Sequence, residues 1–284
     1  MQYFEPNFVD EALVLLDRFA PHAHVLAGGT LLGLKLRDAA SDETTIVNVK
    51  RIPQLREIDF DGRTLTIGAL ATARELASDE LVLAHAPLVA RAAASIGAVQ
   101  LRTSATIGGN LCSGHRSADL ATALLASDAI CLLSDIAAGP TRMSISDFLK
   151  LSPAAFDRRV LLTGVVIPAS AGSIAYHKMQ TRRAFEMAIV AAAVSVEVAR
   201  GAIGAVRIAL GGAARRPIRA ANAEQWAQAK PPDAKSARAA AEIAAQRDAA
   251  PVSDLHASAE YRRQLVAVLV ERALREAFAR PRNA

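Results

Sequence analysis

One stretch of ten residues decides how the fold of this 284-residue sequence is interpreted: Arg102-Thr103-Ser104-Ala105-Thr106-Ile107-Gly108-Gly109-Asn110-Leu111. Its centre is a glycine pair, preceded by a threonine and followed by an asparagine. A second glycine pair lies earlier in the chain, in Ala27-Gly28-Gly29-Thr30-Leu31. Each pair has a threonine and an apolar residue close by, so the two segments carry similar chemical groups.

These groups are suited to binding a pyrophosphate. Several backbone N–H groups can converge on the anion, and glycine allows the chain to approach closely and to adopt positive φ. The first pair is predicted to lie between a strand and a helix, whose amino-terminal dipole favours an anion. Thr30, Thr106 and the Asn110 amide can add donors. A single Gly-Gly pair is most often a tight turn, whereas two in this setting are more specific.

Phosphate-binding motifs built on one loop do not fit the sequence. It contains no Gly-x-Gly-x-x-Gly, so a nicotinamide Rossmann site is not indicated. Gly28 to Lys35 approaches a phosphate loop, but Leu34 stands before the lysine and Leu36 replaces the Ser or Thr that binds magnesium. The two segments are therefore expected to act together.

The first fifty residues are predicted to form an α/β unit. Apolar residues from Phe8 to Phe19 recur at helical spacing, with Asn7 as a possible cap. A short strand at 24–26 leads into the first glycine pair, a short helix follows around Leu31 and Leu34, and a β-branched strand covers 44–49.

The middle of the chain is also predicted to be mixed. Strands at 55–60 and 63–68 flank Asp61-Gly62, a strong hairpin signal. The further elements are helices at 72–78, 87–96 and 119–127, a glycine loop at 103–114, and strands at 129–133 and 160–167. Pro168 and residues 169–172 mark a break.

Beyond the break, strands precede helices. Strands are predicted at 172–179, 188–198 and 202–210, with a turn at Arg200-Gly201, and helices at 233–247 and 257–279. This order is typical of an α+β domain.

Composition excludes several classes of protein. There are 33 basic and 28 acidic residues, but the basic pairs Arg182-Arg183, Arg215-Arg216 and Arg262-Arg263 are scattered and lack interleaved aromatics, so no nucleic-acid partner is expected. The two cysteines, Cys112 and Cys131, form neither a disulfide framework nor an iron–sulfur site. The longest apolar run, 187–196, is too short to span a membrane. No signal peptide is visible, so a cytoplasmic protein is expected.

Other candidate sites are weak. The histidines, at positions 22, 24, 85, 115, 177 and 256, show no metal-ligand spacing, and His22 and His24 are expected at the surface. Ser113 lacks a nucleophile elbow. Trp226 is expected in the core or at a hinge. No catalytic residue and no metal ligand are assigned to this chain.

With both glycine segments in view, the sequence resembles the FAD-binding medium subunits of the molybdenum hydroxylases, the family of carbon monoxide, xanthine and nicotinate dehydrogenases. The resemblance covers nearly the whole chain. It continues in Asp119-Leu120-Ala121, in Tyr176-His177-Lys178 with Arg182-Arg183, and in residues 207–212 (Arg207-Ile208-Ala209-Leu210-Gly211-Gly212).

The resemblance implies an α+β protein with a vanillyl-alcohol-oxidase-like (PCMH-type) FAD-binding fold. The expected domains are an amino-terminal α/β FAD-binding subdomain (1–54), a second one (55–170), and a carboxy-terminal domain of the CO dehydrogenase flavoprotein type (171–284), with a three-stranded antiparallel sheet and helices. FAD would lie extended between the first two. No histidine for covalent attachment is identifiable, so FAD is expected to dissociate.

The resemblance also implies the FAD contacts. Asp119 matches an acid that contacts the flavin nucleotide, Lys178 a lysine near the isoalloxazine, and Ile96 and Leu162 apolar contacts. The full expected set is Val25, Leu26, Ala27, Gly28, Gly29, Thr30, Leu31, Leu32, Ile96, Thr106, Ile107, Gly108, Gly109, Asn110, Asp119, Leu162 and Lys178.

Simpler roles stay open for several residues. Asp119 could cap the helix that begins there, and Lys178 could be a solvated strand residue. The segment after Asn110 departs from the family pattern: Cys112, His115 and Arg116 could tune access to the flavin ring, although a variable surface loop is preferred.

The function implied is that of an electron-transfer subunit. Substrate would be hydroxylated at a molybdopterin centre on a large partner. Electrons would pass through two [2Fe-2S] clusters on a small partner to FAD here, and on to NAD, a quinone or another acceptor, in a dimer of heterotrimers. The alternatives are a stand-alone flavin oxidoreductase of the same fold, for which no catalytic base is identifiable, and a phosphate-binding module without redox function.

Overall fold

The computed structural model describes residues 1–39, 43–151, 160–169, 172–182 and 187–279. Helices and sheets are both present, as expected for the predicted α+β class, and within these described ranges the strands form three sheets of three, five and four strands. Arg183 and two of the predicted break residues, 170 and 171, lie outside the described residues.

The three-stranded sheet is parallel and contains the strand that leads to the first glycine pair. Its strands are β1 (Gln2–Phe4), β2 (Ala23–Leu26) and β3 (Thr45–Asn48), in the order β1-β3-β2. Helix α1 (Val9–Arg18) buries Ala12, Leu13 and Leu16. Helix α2 (Leu32–Ala39) begins directly after the first glycine segment.

The five-stranded sheet is antiparallel and supports the second glycine segment. Its strands, in the order β4-β5-β8-β6-β7, are β4 (Ile58–Phe60), β5 (Thr64–Gly68), β6 (Ile130–Asp135), β7 (Gly139–Ser144) and β8 (Val160–Pro168). The predicted hairpin at Asp61-Gly62 is present, with Gly62 at φ +89° and the Asp61 carboxylate accepting from the backbone N–H groups of Arg63 and Thr64. The helices around this sheet are α3 (Ala73–Ser78), α4 (Glu80–His85), α5 (Pro87–Ala94), α6 (Val99–Arg102), α7 (Ile107–Cys112), α8 (Asp119–Ala126) and α9 (Ile145–Phe148).

The carboxy-terminal sheet is antiparallel, in the order β12-β11-β10-β9, and two long helices follow it. Its strands are β9 (Ser173–Met179), β10 (Val190–Ala199), β11 (Ala202–Gly211) and β12 (Ile218–Arg219). The two-residue β12 is one strand more than the resemblance implied. Helices α10 (Ala221–Ala227), α11 (Ala234–Ile243) and α12 (Ala259–Ala279) complete the chain. Trp226 is partly buried against this core.

Three local predictions are wrong. Residues 53–56 form a 3₁₀ helix, not the beginning of the strand predicted from residue 55, because Pro53 at the first position favours a helical turn. The helix predicted at 233–247 ends at Ile243 and continues as a π-helical segment, 244–248. The second glycine segment is not a loop, because its glycines lie within α7.

Candidate functional site

The first glycine segment offers a row of free backbone donors. Among the described residues, no protein acceptor receives the N–H groups of residues 28–32, and the backbone bonds of the helix begin at Gly33, which donates to the Gly29 carbonyl at 2.9 Å. Gly29 adopts φ +73°, a conformation that glycine reaches without strain. Successive N–H groups before a helix form a concave site for an anion.

The two glycine segments are in contact. A Cβ at Gly28 would come within 1.8 Å of the carbonyl oxygen of Ser104, two residues before Thr106. Gly28 is therefore required for the close approach between the segments.

The second glycine segment differs from the first in how its N–H groups are used. Thr106 caps α7: its hydroxyl accepts from Gly109 N at 3.1 Å and its carbonyl from Asn110 N at 2.9 Å. Ile107 N and Gly108 N donate to the carbonyls of Ala71 and Ala69. The expectation that this backbone also supplies free donors is therefore wrong.

Two side chains of the second segment still have donors to offer. The Thr106 hydroxyl accepts one bond and keeps its own proton. Asn110 accepts from Ala121 N through Oδ1 at 3.3 Å, which orients the amide and leaves the Nδ2 hydrogens as donors.

Two cavities meet at the glycine segments. The glycine cavity, of about 290 Å³, is bounded by residues 27–32, Ile96, Thr106, Gly109, Asn110 and Asp119. The apolar cavity, of about 760 Å³, is bounded by residues such as Leu16, Val49, Leu70, Gly108, Leu161 and Leu162. Their shared wall consists of Val25, Ala27, Leu32, Lys35, Gly109 and Cys112. An elongated ligand with an anionic centre and two flat ends could occupy both.

Most of the residues expected to contact FAD line one or both of these cavities. Ile96 lies on the glycine cavity and Leu162 on the apolar cavity. The exceptions are Leu26, Ile107 and Lys178, none of which lines either one. Ile107 is fully buried in the hydrophobic core, and Leu26 lies under the Gly29 backbone.

Lys35 contributes a cation to the shared wall. It is not among the residues predicted to contact FAD, because in the sequence it is only the last residue of an incomplete phosphate-loop motif. It lies on α2, one helical turn after Leu32, and both residues line both cavities. The i to i+3 spacing places both residues on one face of the helix. That spacing is visible in the sequence and could have identified Lys35.

Asp119 and Lys178 form a buried ion pair. Lys178 Nζ is 3.0 Å from Asp119 Oδ2, and the side chains are 5% and 7% exposed. Tyr176 Oη donates to Asp119 Oδ1 at 2.6 Å, and Lys178 Nζ also donates to the Ser95 carbonyl at 3.1 Å. Burial raises the pKa of the Asp119 carboxyl, against the lowering effect of the lysine and tyrosine.

The geometry of this pair excludes both simpler roles, that of a helix cap for Asp119 and that of a solvated strand residue for Lys178. Asp119 is the first residue of α8 and not its cap, because Ala118 occupies the cap position. Lys178 is not solvated. Asp119 reaches the glycine cavity, whereas Lys178 lines a separate cavity together with Arg102 and Arg182.

The segment after Asn110 is more than a surface loop. Cys112 and His115 line the glycine cavity, and Arg116 forms an ion pair with Asp254.

The two histidines expected at the surface differ in exposure. His24 is half-buried beside the apolar cavity, whereas His22 is largely exposed, with its Nε2 3.4 Å from Glu43 Oε2. The described residues contain no group of histidine, cysteine and acidic side chains that could hold a metal ion. Nor do they include a helix long and apolar enough to cross a bilayer.

Two known domain families match nearly the whole chain. Residues 1–170 match the FAD binding domain in molybdopterin dehydrogenase, and residues 174–277 match the CO dehydrogenase flavoprotein C-terminal domain. The chain is 31% identical to the carbon monoxide dehydrogenase medium chain of Hydrogenophaga pseudoflava, over 98% of this chain and 97% of that one. It is also 31% identical to a xanthine dehydrogenase FAD-binding subunit of Escherichia coli O157:H7, over 91% and 90%.

Solved structures agree with the sequence relatives. Carbon monoxide dehydrogenase from H. pseudoflava superposes with a TM-score of 0.94 at 30% identity, covering 99% of this chain and 98% of that one. Quinoline 2-oxidoreductase from Pseudomonas putida 86 superposes with a TM-score of 0.90 at 26% identity, covering 98% and 97%. The predicted family and α+β fold are confirmed: the chain belongs to the FAD-binding medium subunits of the molybdenum hydroxylases, a family of oxidoreductases.

Proposed function

We propose that this chain holds FAD across the two cavities, with the pyrophosphate at their shared wall, and acts as the electron-relay subunit of a molybdenum hydroxylase. The observation that carries the proposal is a row of five backbone N–H groups, those of residues 28–32, at the junction of the cavities. None of them has an acceptor among the residues that the structure describes. An anion there would receive hydrogen bonds from groups that the fold leaves free.

Side chains of this subunit complete the proposed pyrophosphate site. The Thr106 hydroxyl and the Asn110 amide donate from the second segment, and the Lys35 ammonium supplies positive charge. The apolar cavity would enclose the adenine end beside Leu162. The glycine cavity would hold the isoalloxazine end between Ile96 and Asp119, with Lys178 acting on the flavin edge through its pair with Asp119.

The partners follow from the family. When bound, FAD supplies the conversion between one-electron and two-electron transfer, so that electrons from [2Fe-2S] clusters on a small partner reach an external acceptor such as NAD or a quinone. A large partner would carry molybdopterin, and the assembly would be a dimer of heterotrimers in the cytoplasm. The domain boundaries at 54/55 and 170/171 belong to the same proposal.

Substitution of Gly109 tests the site. A Cβ at Gly109 would meet only the Thr106 hydroxyl oxygen, at 3.0 Å, and would narrow the passage between the cavities. Alanine also favours a helix over glycine, so α7 should not be weakened. We expect Gly109→Ala to lower FAD affinity about tenfold or more, which corresponds to ~1.4 kcal/mol. The readout is flavin absorbance per chain after dialysis.

Gly33→Ala is the matched control. Gly33 is also helical, and no atom lies within 4 Å of a Cβ built there. It should therefore retain FAD. Equal FAD affinity in both variants would refute the placement of the pyrophosphate. The relay assignment has its own test: if the native protein purifies without molybdenum and iron–sulfur partners and turns over a substrate by itself, that assignment is wrong.

A further inference from the structure

A further cavity lies beside the glycine cavity, and the proposed FAD contacts do not account for it. The arginine cavity, of about 300 Å³, is bounded by two arginines, two histidines and one acid: Arg116, Arg262, His115, His256 and Asp254. It shares His115, Ser117 and Met187 with the glycine cavity, so a molecule in one cavity would lie next to a molecule in the other.

Arg262 is the most deeply buried member of this group, and one of its donors is unused. Its side chain is only 2% exposed. One terminal nitrogen donates to the Ile189 carbonyl and the other to Asp254 Oδ1 at 2.8 Å. Among the described residues, Nε has no hydrogen-bond acceptor. Folded proteins seldom leave a buried charged donor unpaired, so the described residues compensate the Arg262 charge only in part.

The charges around the arginine cavity do not balance. Arg116 and Arg262 share a single carboxylate, that of Asp254. This carboxylate also accepts from the backbone N–H groups of His256 and Ala257, at 2.9 and 3.0 Å. Partial desolvation acts against ionisation, but the Arg262 hydrogen bond and the backbone donors hold the pKa of Asp254 well below its ordinary value. Among the described residues that bound the cavity, two arginines therefore face one carboxylate.

His115 adds a neutral donor. Its Nδ1 accepts from Ser117 N at 3.1 Å, so in the neutral ring Nε2 carries the proton. Burial and the neighbouring Arg116 lower the pKa of His115, which favours this neutral form at pH 7. The cavity therefore has an excess of donors and of positive charge.

We infer that the arginine cavity binds the carboxylate or phosphate group of a small anionic molecule and places that molecule against the contents of the glycine cavity. Such a group would balance the excess positive charge of Arg116 and Arg262, which share the Asp254 carboxylate. That the neighbouring content is flavin rests on the proposed function. On that basis, the bound molecule is an anionic acceptor or effector in contact with the flavin, and not an uncharged quinone.

Titration of the FAD-loaded protein with inorganic phosphate tests this inference by calorimetry and by the visible difference spectrum of the flavin. FAD would occupy the first glycine segment, so phosphate can report on the second site. We expect one binding event with a change in the flavin bands. Arg116→Gln removes the more exposed arginine and should weaken phosphate binding about tenfold or more, since it cancels the excess positive charge.

Arg238→Gln is the control, because it makes the same chemical change at an exposed helical ion pair with Glu242. Equal phosphate binding in wild type and Arg116→Gln would mean an adventitious ion only and would overturn the inference, as would the absence of any binding heat. A chain that loses FAD but still shows Arg116-dependent phosphate binding would refute the proposed function and leave this site standing.

Discussion

The buried pair of Asp119 and Lys178 is the residue-scale feature with the clearest energetic consequence. Removing one partner of a buried ion pair leaves the other charge uncompensated, which costs about 3–5 kcal/mol. We therefore expect Lys178→Met to lower the free energy of unfolding by about that amount at pH 7, measured by urea denaturation of the FAD-free chain. Asp119→Asn combined with Lys178→Met should recover part of the loss.

The loss of stability caused by Lys178→Met should depend on pH. Without the ammonium, burial would hold the folded-state pKa of Asp119 further above the unfolded value, about 3.9, so the folded state would bind the extra proton. Stability then falls as pH rises from the unfolded to the folded pKa, and the defect should be smaller at pH 4.5 than at pH 7. Lys150→Met, at an exposed pair with Asp147, is the control and should show little effect at either pH.

The sequence alone could not have identified this pair. Asp119 and Lys178 were each selected through the family resemblance, and the residues lie 59 positions apart in the chain. No local periodicity reports such a contact, because it depends on β9 packing against the beginning of α8. Lys35 is the opposite case, because its helical spacing from Leu32 could have placed it at the site, although it was not predicted there.

At the scale of elements, two short helices begin next to each other. Thr72 caps α3 in a capping box with Glu75, and Thr106 caps α7. An isolated antiparallel β-bridge joins the two threonines, and Ile107 N donates to Ala71 O. The arrangement fixes the second glycine segment against the five-stranded sheet.

Substitutions of the two capping threonines, Thr72 and Thr106, should differ in their effect on FAD affinity. Thr72→Ala should lower the free energy of unfolding by about 1 kcal/mol and leave FAD affinity unchanged, because Thr72 lines neither cavity. Thr106→Ala should lower both, whereas Thr106→Ser should preserve both. The measurements are urea denaturation and flavin titration. If Thr106→Ala and Thr72→Ala reduce FAD affinity equally, Thr106 has only a structural role.

The element-scale error at the second glycine segment has a physical origin. Glycine is a poor helix former, so Gly108-Gly109 predicts a loop. Tertiary contacts reverse this preference: the Thr106 cap stabilises the first turn, and a Cβ at Gly108 would come within 2.9 Å of Ala69. The close packing that requires glycine is therefore the same packing that holds the helix.

Strand β7 was not predicted for another reason. Most of its residues are exposed, so its sequence carries little apolar signal.

For the molecule as a whole, helix α8 joins the cavity-bearing part of the chain to the carboxy-terminal sheet. All eight of its residues are buried. Gly211 in β11 permits this approach, because a Cβ there would come within 2.6 Å of the Thr122 hydroxyl. The helical spacing of the apolar residues in 119–127 predicts a helix, but not that the carboxy-terminal sheet and neighbouring helices cover it. The carboxy-terminal domain therefore supports the site by holding α8, and with it Asp119, in place.

Asp128, just after α8, completes this connection and makes it sensitive to acid. Its carboxylate pairs with Arg207 in β11 and with Arg219 in β12. Partial burial acts to raise the pKa of Asp128, but the two arginines outweigh it and hold the pKa below its ordinary value. A depressed carboxylate pKa contributes stability above the unfolded value, about 3.9, and this contribution is lost as pH falls through the folded pKa.

Asp128→Asn should therefore destabilise the chain at neutral pH and progressively less in acid. Asparagine suits the positive φ of +48° at this position, so the backbone should not be strained. Because Asp128 is 45% exposed, we expect a loss of about 1 kcal/mol or less at pH 7, measured by urea denaturation. The difference from wild type should shrink at pH 3. A pH-independent loss in Asp128→Asn would show that the arginine pairs do not stabilise the contact between α8 and the carboxy-terminal sheet.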